Sequence, residues 1–128
     1  MRVGILVPFY QVEPFIERCA RSVLEQTYSD IDYLFIDDYS TDRSLTILKQ
    51  TLEDYPTRKD SVQIIQNSSN LGLACCRNIA VEACSDPFLF WVDADDWITP
   101  DAIAQLVALQ KQSDADIVTG RTMLVEDD

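Results

Sequence analysis

The chain has 128 residues with 10 basic and 22 acidic side chains, a formal net charge of −12 and no histidine. Without imidazole, Ser-His-Asp and Cys-His nucleophiles and histidine-liganded zinc are excluded, so acid and base chemistry must come from carboxylates, Tyr, Cys or Lys. So large an excess of acid repels phosphodiester backbones and anionic leaflets, and we expect no nucleic-acid partner. The length suits a single domain over residues 1–128.

Five short apolar runs alternate with amphipathic segments. The runs predict strands at 3–7, 33–36, 62–65 and 88–92, with a fifth beginning at 117–119. The segments between them predict helices at about 15–24, 42–52, 73–83 and 101–110. This alternation predicts an α/β fold, a Rossmann-like sandwich with a mainly parallel sheet and helices on both faces.

The four cysteines, at positions 19, 75, 76 and 84, lie in the helical patterns without a Cys-x-x-Cys pair. We interpret them as buried, reduced thiols of a cytoplasmic protein. No run approaches the roughly 18 apolar residues of a transmembrane helix, so no membrane span is predicted. Peripheral association of a longer protein with the inner face of a membrane stays open.

The predicted topology brings three polar segments to one edge of the sheet, because ligands of such sheets bind beyond the carboxyl ends of the strands. The segments are 8–11, 37–40 and 93–96. Asp93-x-Asp95 offers two hard oxygen ligands at a strand end, which suits Mg²⁺ or Mn²⁺ shared with substrate phosphates. The alternative is a solvated turn in which one of Asp93, Asp95 and Asp96 caps the next helix.

Four further residues at or near this edge also allow two interpretations. Asp37 and Asp38 are either caps or Asx turns, or carboxylates that accept from a base N–H or ribose hydroxyls. Tyr10 is either a packing residue or a ring on which a base stacks. Arg77 is either a surface ion-pair partner or a cation that reaches a phosphate.

Five motifs in order carry a family resemblance: Pro8-Phe9-Tyr10-Gln11, Gln26-Thr27-Tyr28, Asp37 to Asp42, Asn70 to Ala74 with Arg77-Asn78, and Asp93 to Trp97. From about residue 2 to about residue 120, the chain resembles the nucleotide-sugar-binding half of the inverting glycosyltransferases of family 2, which have the GT-A fold. The resemblance implies a nucleotide-sugar donor, with uracil as the commonest base, and a saccharide acceptor in the full-length enzyme.

The resemblance also implies roles for individual residues. Pro8 and Tyr10 would line the base pocket, Asp38 would accept from the base, and Asp37 would support that strand end. The further assignments are Asp95 as the principal metal ligand, Asp93 as a ribose contact or second metal ligand, and Arg77 as a pyrophosphate or base contact.

Two positions depart from the family pattern, in which Asn usually stands at Gln11 and Gly at Tyr39. No catalytic base is assigned, because in similar enzymes that carboxylate lies well beyond the Asp-x-Asp motif. Glu126, Asp127 and Asp128 are not assigned to this role, because chain termini tend to fray. We therefore expect the chain to be the donor-binding part of a longer enzyme, with little or no transfer activity alone.

Two alternatives from other classes stay open. A receiver-like phosphoacceptor domain would share the architecture, the clustered Asp residues and Mg²⁺, but it needs acids after the first strand, where Pro8-Phe9-Tyr10 stands, and Lys after the fifth. The second open alternative is a non-catalytic nucleotide-binding module. A third class, a phosphotransferase with Asp93 as nucleophile, is disfavoured because no Thr follows Asp95.

Overall fold

A parallel sheet of four strands, in the order β3-β2-β1-β4, forms the centre of the computed structural model, which describes residues 1–125. The strands are β1 (Val3–Phe9), β2 (Ile31–Asp37), β3 (Val62–Gln66) and β4 (Phe88–Trp91). The helices are α1 (Ile16–Leu24), α2 (Ser44–Leu52), α3 (Leu73–Ala83) and α4 (Ala102–Ser113), with a 3₁₀ turn at Lys59–Ser61. The predicted α/β class and mainly parallel sheet are confirmed.

Helices cover both faces of the sheet, as predicted. The odd-numbered side chains of β1 share one core with α1, α2 and α4. Leu6 of β1 points the other way and packs with Cys76 and Ala80 of α3, because side chains alternate along a strand. Every residue of β1 is buried, which explains its unbroken apolar run. No helix within residues 1–125 has the length and apolar character needed to cross a bilayer.

Pro8 lies inside β1 and does not end it, because the strand continues to Phe9. The Phe9 carbonyl points to β2, where it accepts from Asp38 N, and the Leu6 carbonyl points to β4, where it accepts from Val92 N. Because backbone groups alternate along a strand, the backbone nitrogen of Pro8 faces β4. Pro8 has no N–H to extend the ladder with β4, and this ladder ends at the Leu6–Trp91 pair.

The predicted fifth strand at 117–119 is wrong for the part of the chain described. This stretch is irregular, and Ile117 has 83% of its surface exposed. Ile117 and Val118 instead line a cavity of about 170 Å³ beside Phe88 and Val107. An apolar run becomes a strand only where a neighbouring strand takes up its backbone hydrogen bonds, and residues 117–119 form no such ladder.

The prediction of four buried thiols is correct for Cys19 and Cys76 and wrong for Cys75, while Cys84 is half-buried. Cys75 is exposed because adjacent residues on a helix point about 100° apart, and Cys76 takes the direction that faces the sheet. All four cysteines are free thiols.

Candidate functional site

The carboxyl ends of β1 and β4 form the point where the strand order changes direction. β1 connects through α1 to β2 on one side, whereas β4 lies on the other side. In open α/β sheets such a switch point leaves a crevice beyond the strand ends, where ligands bind. The segments after β1, β2 and β4 are adjacent there, because Asp37 pairs with Phe9 and Trp91 pairs with Leu6.

Three carboxylates lie together immediately after β4. One oxygen from each of Asp93, Asp95 and Asp96 lies within 4.8 Å of the other two, and all three residues are exposed. Asp96 N donates to Asp93 O at 2.9 Å and closes the turn, while Ala94 is buried beneath it. Hard oxygen ligands at this spacing, open to water and to a phosphate, fit the needs of Mg²⁺ or Mn²⁺. We call residues 93–96 the acidic turn.

The charge of the acidic turn acts on two neighbouring groups. Partial burial, followed by the charges of Asp95 and Asp93, raises the pKa of Asp96, while Arg18 opposes the rise. Burial, followed by the three carboxylates, raises the pKa of the Cys19 thiol to about 12, so this thiol is neutral near pH 7. The Arg18 guanidinium lies 3.8 Å from the centroid of the Trp97 ring, beside the turn. A bound cation would reduce the repulsion among the three carboxylates of the acidic turn.

Asp37 and Asp38 are both buried at the end of β2, and both support local structure. Asp37 Oδ1 accepts from Ser40 N at 2.9 Å, three positions on, which holds the loop after β2 but is not an Asx turn, whose donor lies two positions on. Asp38 accepts from Leu71 N, Gly72 N and Asn67 Nδ2 at 2.8–3.0 Å. Burial raises the pKa of Asp38, but the hydrogen bonds outweigh burial and hold the pKa below its usual value.

Side-chain hydrogen bonds join the loop after β1 to the loop after β2. Gln11 Oε1 accepts from Thr41 N at 2.6 Å and from Asp42 N at 3.2 Å, and Gln11 N donates to Ser40 Oγ at 3.1 Å. Gln11 and Tyr39 have positive φ values of 52° and 67°. The two positions that depart from the family pattern are therefore both left-handed, a conformation that Asn and Gly adopt easily.

The other predicted site residues occupy different environments. Pro8 is buried in β1, so only the chain beyond it borders the open edge. Tyr10 directly follows β1 and is 48% exposed, with its ring available for stacking. Arg77 is exposed on α3, on the sheet face opposite α1, and its guanidinium lies 5.9 Å from the centroid of the Trp91 ring.

A cavity of about 250 Å³ lies at the opposite edge of the sheet from the acidic turn, and Asp32, Asp60 and Asp86 are among its lining residues. Within residues 1–125 these three carboxylates are not a group close enough to share a cation. They would therefore repel a phosphate with no metal to bridge the two. The carboxyl edge, with Tyr10, the acidic turn and Arg77, has the chemistry for a nucleotide, and we take it as the candidate site.

The sequence predicts Asp93 and Asp95 as metal ligands and Asp96 only as part of a turn. The sequence signal for Asp96 as a ligand is its place as the third acid of Asp-x-Asp-Asp directly after a strand. The sequence does not predict the partners of Asp38, which lie about 30 positions further along the chain. Glu126, Asp127 and Asp128, which were not assigned as the base, lie outside the described residues.

Comparison with known proteins identifies the family of the chain. A sequence profile described as "Glycosyl transferase family 2" matches residues 4–128. The chain is 38% identical over 116 residues to the uncharacterized glycosyltransferase EpsJ of Bacillus subtilis strain 168, covering 91% of this chain and 32% of EpsJ. It is 32% identical over 124 residues to the poly(ribitol-phosphate) beta-glucosyltransferase of Bacillus spizizenii, covering 94% of this chain and 19% of that protein.

Solved structures show the same fold. Staphylococcus aureus TarS 1-349 in complex with UDP-GlcNAc has a TM-score of 0.82 at 24% identity, covering 98% of this chain and 37% of that one. The mannosyltransferase PcManGT from Pyrobaculum calidifontis, in complex with GDP-Man and Mn²⁺, has a TM-score of 0.77 at 25% identity, covering 85% and 32%.

The architecture is thus a Rossmann-like α/β sandwich of the GT-A type. The chain belongs to glycosyltransferase family 2. It spans between 14% and 38% of the length of the curated relatives it matches.

Proposed function

We propose that this chain binds the donor of a glycosyltransferase, a nucleoside diphosphate sugar, along the carboxyl edge of β2, β1 and β4. The observation that carries the proposal is the acidic turn, whose three carboxylates lie together at the switch point of the sheet. A chain with a net charge of −12 has no general attraction for a diphosphate, and a bridging divalent cation reverses the local sign of charge. The neighbour PcManGT was solved with GDP-Man and Mn²⁺, which supports a metal-dependent donor.

Asp93, Asp95 and Asp96 would hold Mn²⁺ or Mg²⁺. When bound, the cation would offset the charge that develops on the leaving diphosphate. Tyr10 offers an exposed ring on which the base can stack, beside Pro8. Asp37 supports the strand end, and Asp38 is proposed to accept from the base.

The carboxylate of Asp38 is already well supplied with donors. A carboxylate has about four acceptor positions, and Asn67, Leu71, Gly72 and the Cys76 thiol donate to it. A base N–H would therefore take the place of one of these donors. Arg77, whose guanidinium lies 5.9 Å from the centroid of the Trp91 ring on the α3 side of the sheet, would approach the pyrophosphate or the base. The two neighbours differ in their base, since TarS was solved with UDP-GlcNAc and PcManGT with GDP-Man. We expect uracil, which is the commonest base among the enzymes that the chain resembles.

The proposed reaction is inverting transfer of the sugar to a saccharide acceptor in glycan or polysaccharide biosynthesis. It requires a general base for the acceptor hydroxyl, and we assign no residue of the described chain to that role. Residues 1–128 would thus act as the donor-binding domain. A cytoplasmic location is part of the proposal and is supported by the four free thiols.

Titration of the chain with UDP, GDP and UDP-sugars, with and without Mn²⁺, tests the proposal. We expect binding that depends on Mn²⁺ and that Asp95→Asn weakens by at least the ~10-fold typical of a damaged metal site. Asp114→Asn is the matched control, because it removes the same charge at the far end of α4, where φ of 55° suits Asn. Equal nucleotide affinity of Asp95→Asn and the parent in Mn²⁺ would show that the metal assignment is wrong.

A further inference from the structure

One side of α1 lies along the backbone of residues 93–103, which we call the acidic segment because it begins with the acidic turn. The contacts come from Cys19 and Ser22 on α1 and from Gln26, two positions past its last residue Leu24, and we call these three residues the α1 stripe. Cys19 and Ser22, three positions apart, lie on the same side of the helix. The Gln26-Thr27-Tyr28 motif at the end of this stripe has no part in the donor site proposed above.

Gln26 is the most completely bonded member of the α1 stripe, with only 3% of its surface exposed. Its Nε2 donates to Thr99 O at 2.7 Å and to Ser22 O at 3.0 Å, and its Oε1 accepts from Ile103 N at 3.0 Å. Ile103 lies in the first turn of α4, where backbone N–H groups have no partner within the helix. The Gln26 side chain therefore caps α4 and holds the segment that leads into it.

Three further contacts join α1 and the residues just after it to the acidic segment. Ser22 Oγ donates its one proton to Cys19 O at 2.7 Å, so it is an acceptor for Ile98 N at 3.2 Å. Cys19 Sγ lies 3.7 Å from Asp93 O, at the start of the acidic turn. Thr27 N, just beyond the stripe, donates to Pro100 O at 2.9 Å.

The acidic turn needs such external support. Its three carboxylates have like charge and oxygens within 4.8 Å of one another, so they repel when no cation lies between them. A ligand set that must be reorganised before binding loses affinity, whereas one that is held in place does not. The contacts from α1 go to backbone atoms, so they fix the path of the segment without occupying any carboxylate.

We propose that Ser22 and Gln26 are positioning residues, which hold the acidic segment in its observed path and thereby keep the three carboxylates of the acidic turn together before a cation binds. The first part stands on the hydrogen bonds alone. The second part, in which the carboxylates receive a metal, rests on the proposed function. The two parts have separate measurements.

Hydrogen exchange tests the first part. In Gln26→Leu, which places methyl groups in the site and removes the side-chain amide, the backbone amides of Asp96, Ile98 and Ile103 should exchange about tenfold faster relative to those of β2. Leu48→Ala is the control, since Leu48 is a buried apolar residue of α2 that makes no hydrogen bond to the segment, and truncating it lowers global stability. Equal exchange ratios in Gln26→Leu and Leu48→Ala would overturn the proposal.

Mn²⁺ affinity, measured from the free-ion signal in electron paramagnetic resonance, tests the second part. We expect Gln26→Leu to lose roughly tenfold in Mn²⁺ affinity and Leu48→Ala to keep that of the parent. Faster exchange with unchanged affinity would overturn the positioning role. If the parent itself binds no Mn²⁺, the proposed function fails, and the exchange data alone then decide whether α1 holds the segment.

Ser22 supplies a second pair of variants if Gln26→Leu does not fold. Ser22→Ala removes the acceptor for Ile98 N, whereas Ser22→Thr retains a hydroxyl at the same place. The Ile98 amide should exchange faster in Ser22→Ala and return to the parent rate in Ser22→Thr. The same exchange rate in all three proteins would contradict a role for this hydroxyl.

Discussion

Asp38 Oδ2 accepts a hydrogen bond of 2.9 Å from Gly72 N, which joins the end of β2 to the residue that caps α3. Gly72 has φ of 91°, a left-handed value that a side chain would strain, so the glycine allows the loop to turn its N–H toward the carboxylate. The negative charge of Asp38 thus lies at the amino-terminal end of α3, where the helix dipole favours it.

Asp38→Asn should lower the free energy of unfolding by about 1–3 kcal/mol at pH 7, because the amide cannot accept from both loop N–H groups. The folded-state pKa of Asp38 is lowered, so its stabilising contribution is present above the unfolded pKa of about 3.9 and disappears as the pH falls through the folded pKa. Urea unfolding from pH 7 to acid should show the difference from the parent shrinking. A difference that does not change with pH would contradict this account.

Asp86→Asn should have the opposite effect at pH 7 and stabilise the fold. Burial and the hydrogen bond and charge of Asp32 raise the folded-state pKa of Asp86, although Cys84 and Arg2 oppose the rise. A raised carboxyl pKa gives stability that is complete below the unfolded pKa and is lost as the pH rises through the folded pKa. The gain should therefore vanish near pH 3 in thermal unfolding. Asp60→Asn, an exposed acid of the same cavity, is the control and should show no such pattern.

Tyr39→Gly should raise the free energy of unfolding by about 0.5–1 kcal/mol. A residue with a Cβ in the left-handed region costs roughly 1–2 kcal/mol, from which the extra backbone entropy of glycine subtracts about 0.5–1 kcal/mol. The ring is 51% exposed, so little burial is lost. Tyr39→Ala keeps the Cβ at φ of 67° and should bring no gain in denaturant unfolding. Equal stability of the two variants would show that the backbone strain is not the cause.

Arg77→Ala should weaken nucleotide binding roughly tenfold or more, the usual effect of losing a charge-assisted hydrogen bond, and should leave stability within about 0.5 kcal/mol of the parent. Its contact with the Trp91 ring is solvent-exposed and contributes little to folding. Calorimetric titration at two salt concentrations measures the effect. Lys49→Ala removes the same charge from the exposed side of α2 and should not change the affinity. A similar loss in both variants would indicate a general charge effect and contradict the role of Arg77.

The sheet and the helices could be predicted from the sequence because each has a local cause. β1 is a continuous apolar run, β2 has an apolar run at its centre, and the helical spacing of α3 predicts its observed bounds. The stretch at 117–119 has an equally apolar pattern, yet it is not a strand, because pairing depends on a neighbour elsewhere in the chain. Local pattern therefore predicts which segments are suited to a strand, but not which segments find a partner.

The candidate site likewise contains residues whose role could be predicted from the sequence and residues whose role could not. Asp93 and Asp95 could be predicted because parallel strands bring their carboxyl ends to one edge. The partners of Asp38 could not be predicted, since two of its four donors are backbone N–H groups, which every residue except proline has. The same holds for Gln26, whose bonds to the acidic segment go to the carbonyl of Thr99 and the N–H of Ile103.

The pairing of β4 with β1 sets how far the acidic turn extends past the sheet. Trp91 lies opposite Leu6, and the turn begins two positions later. Moving β4 by one position would displace the turn by about 3.3 Å and send every β4 side chain to the opposite face. Deleting or inserting one amino acid within Phe88–Trp91 should thus damage the fold and the acidic turn more than most single replacements there. Closely related enzymes should keep the length of this strand even where its residues differ.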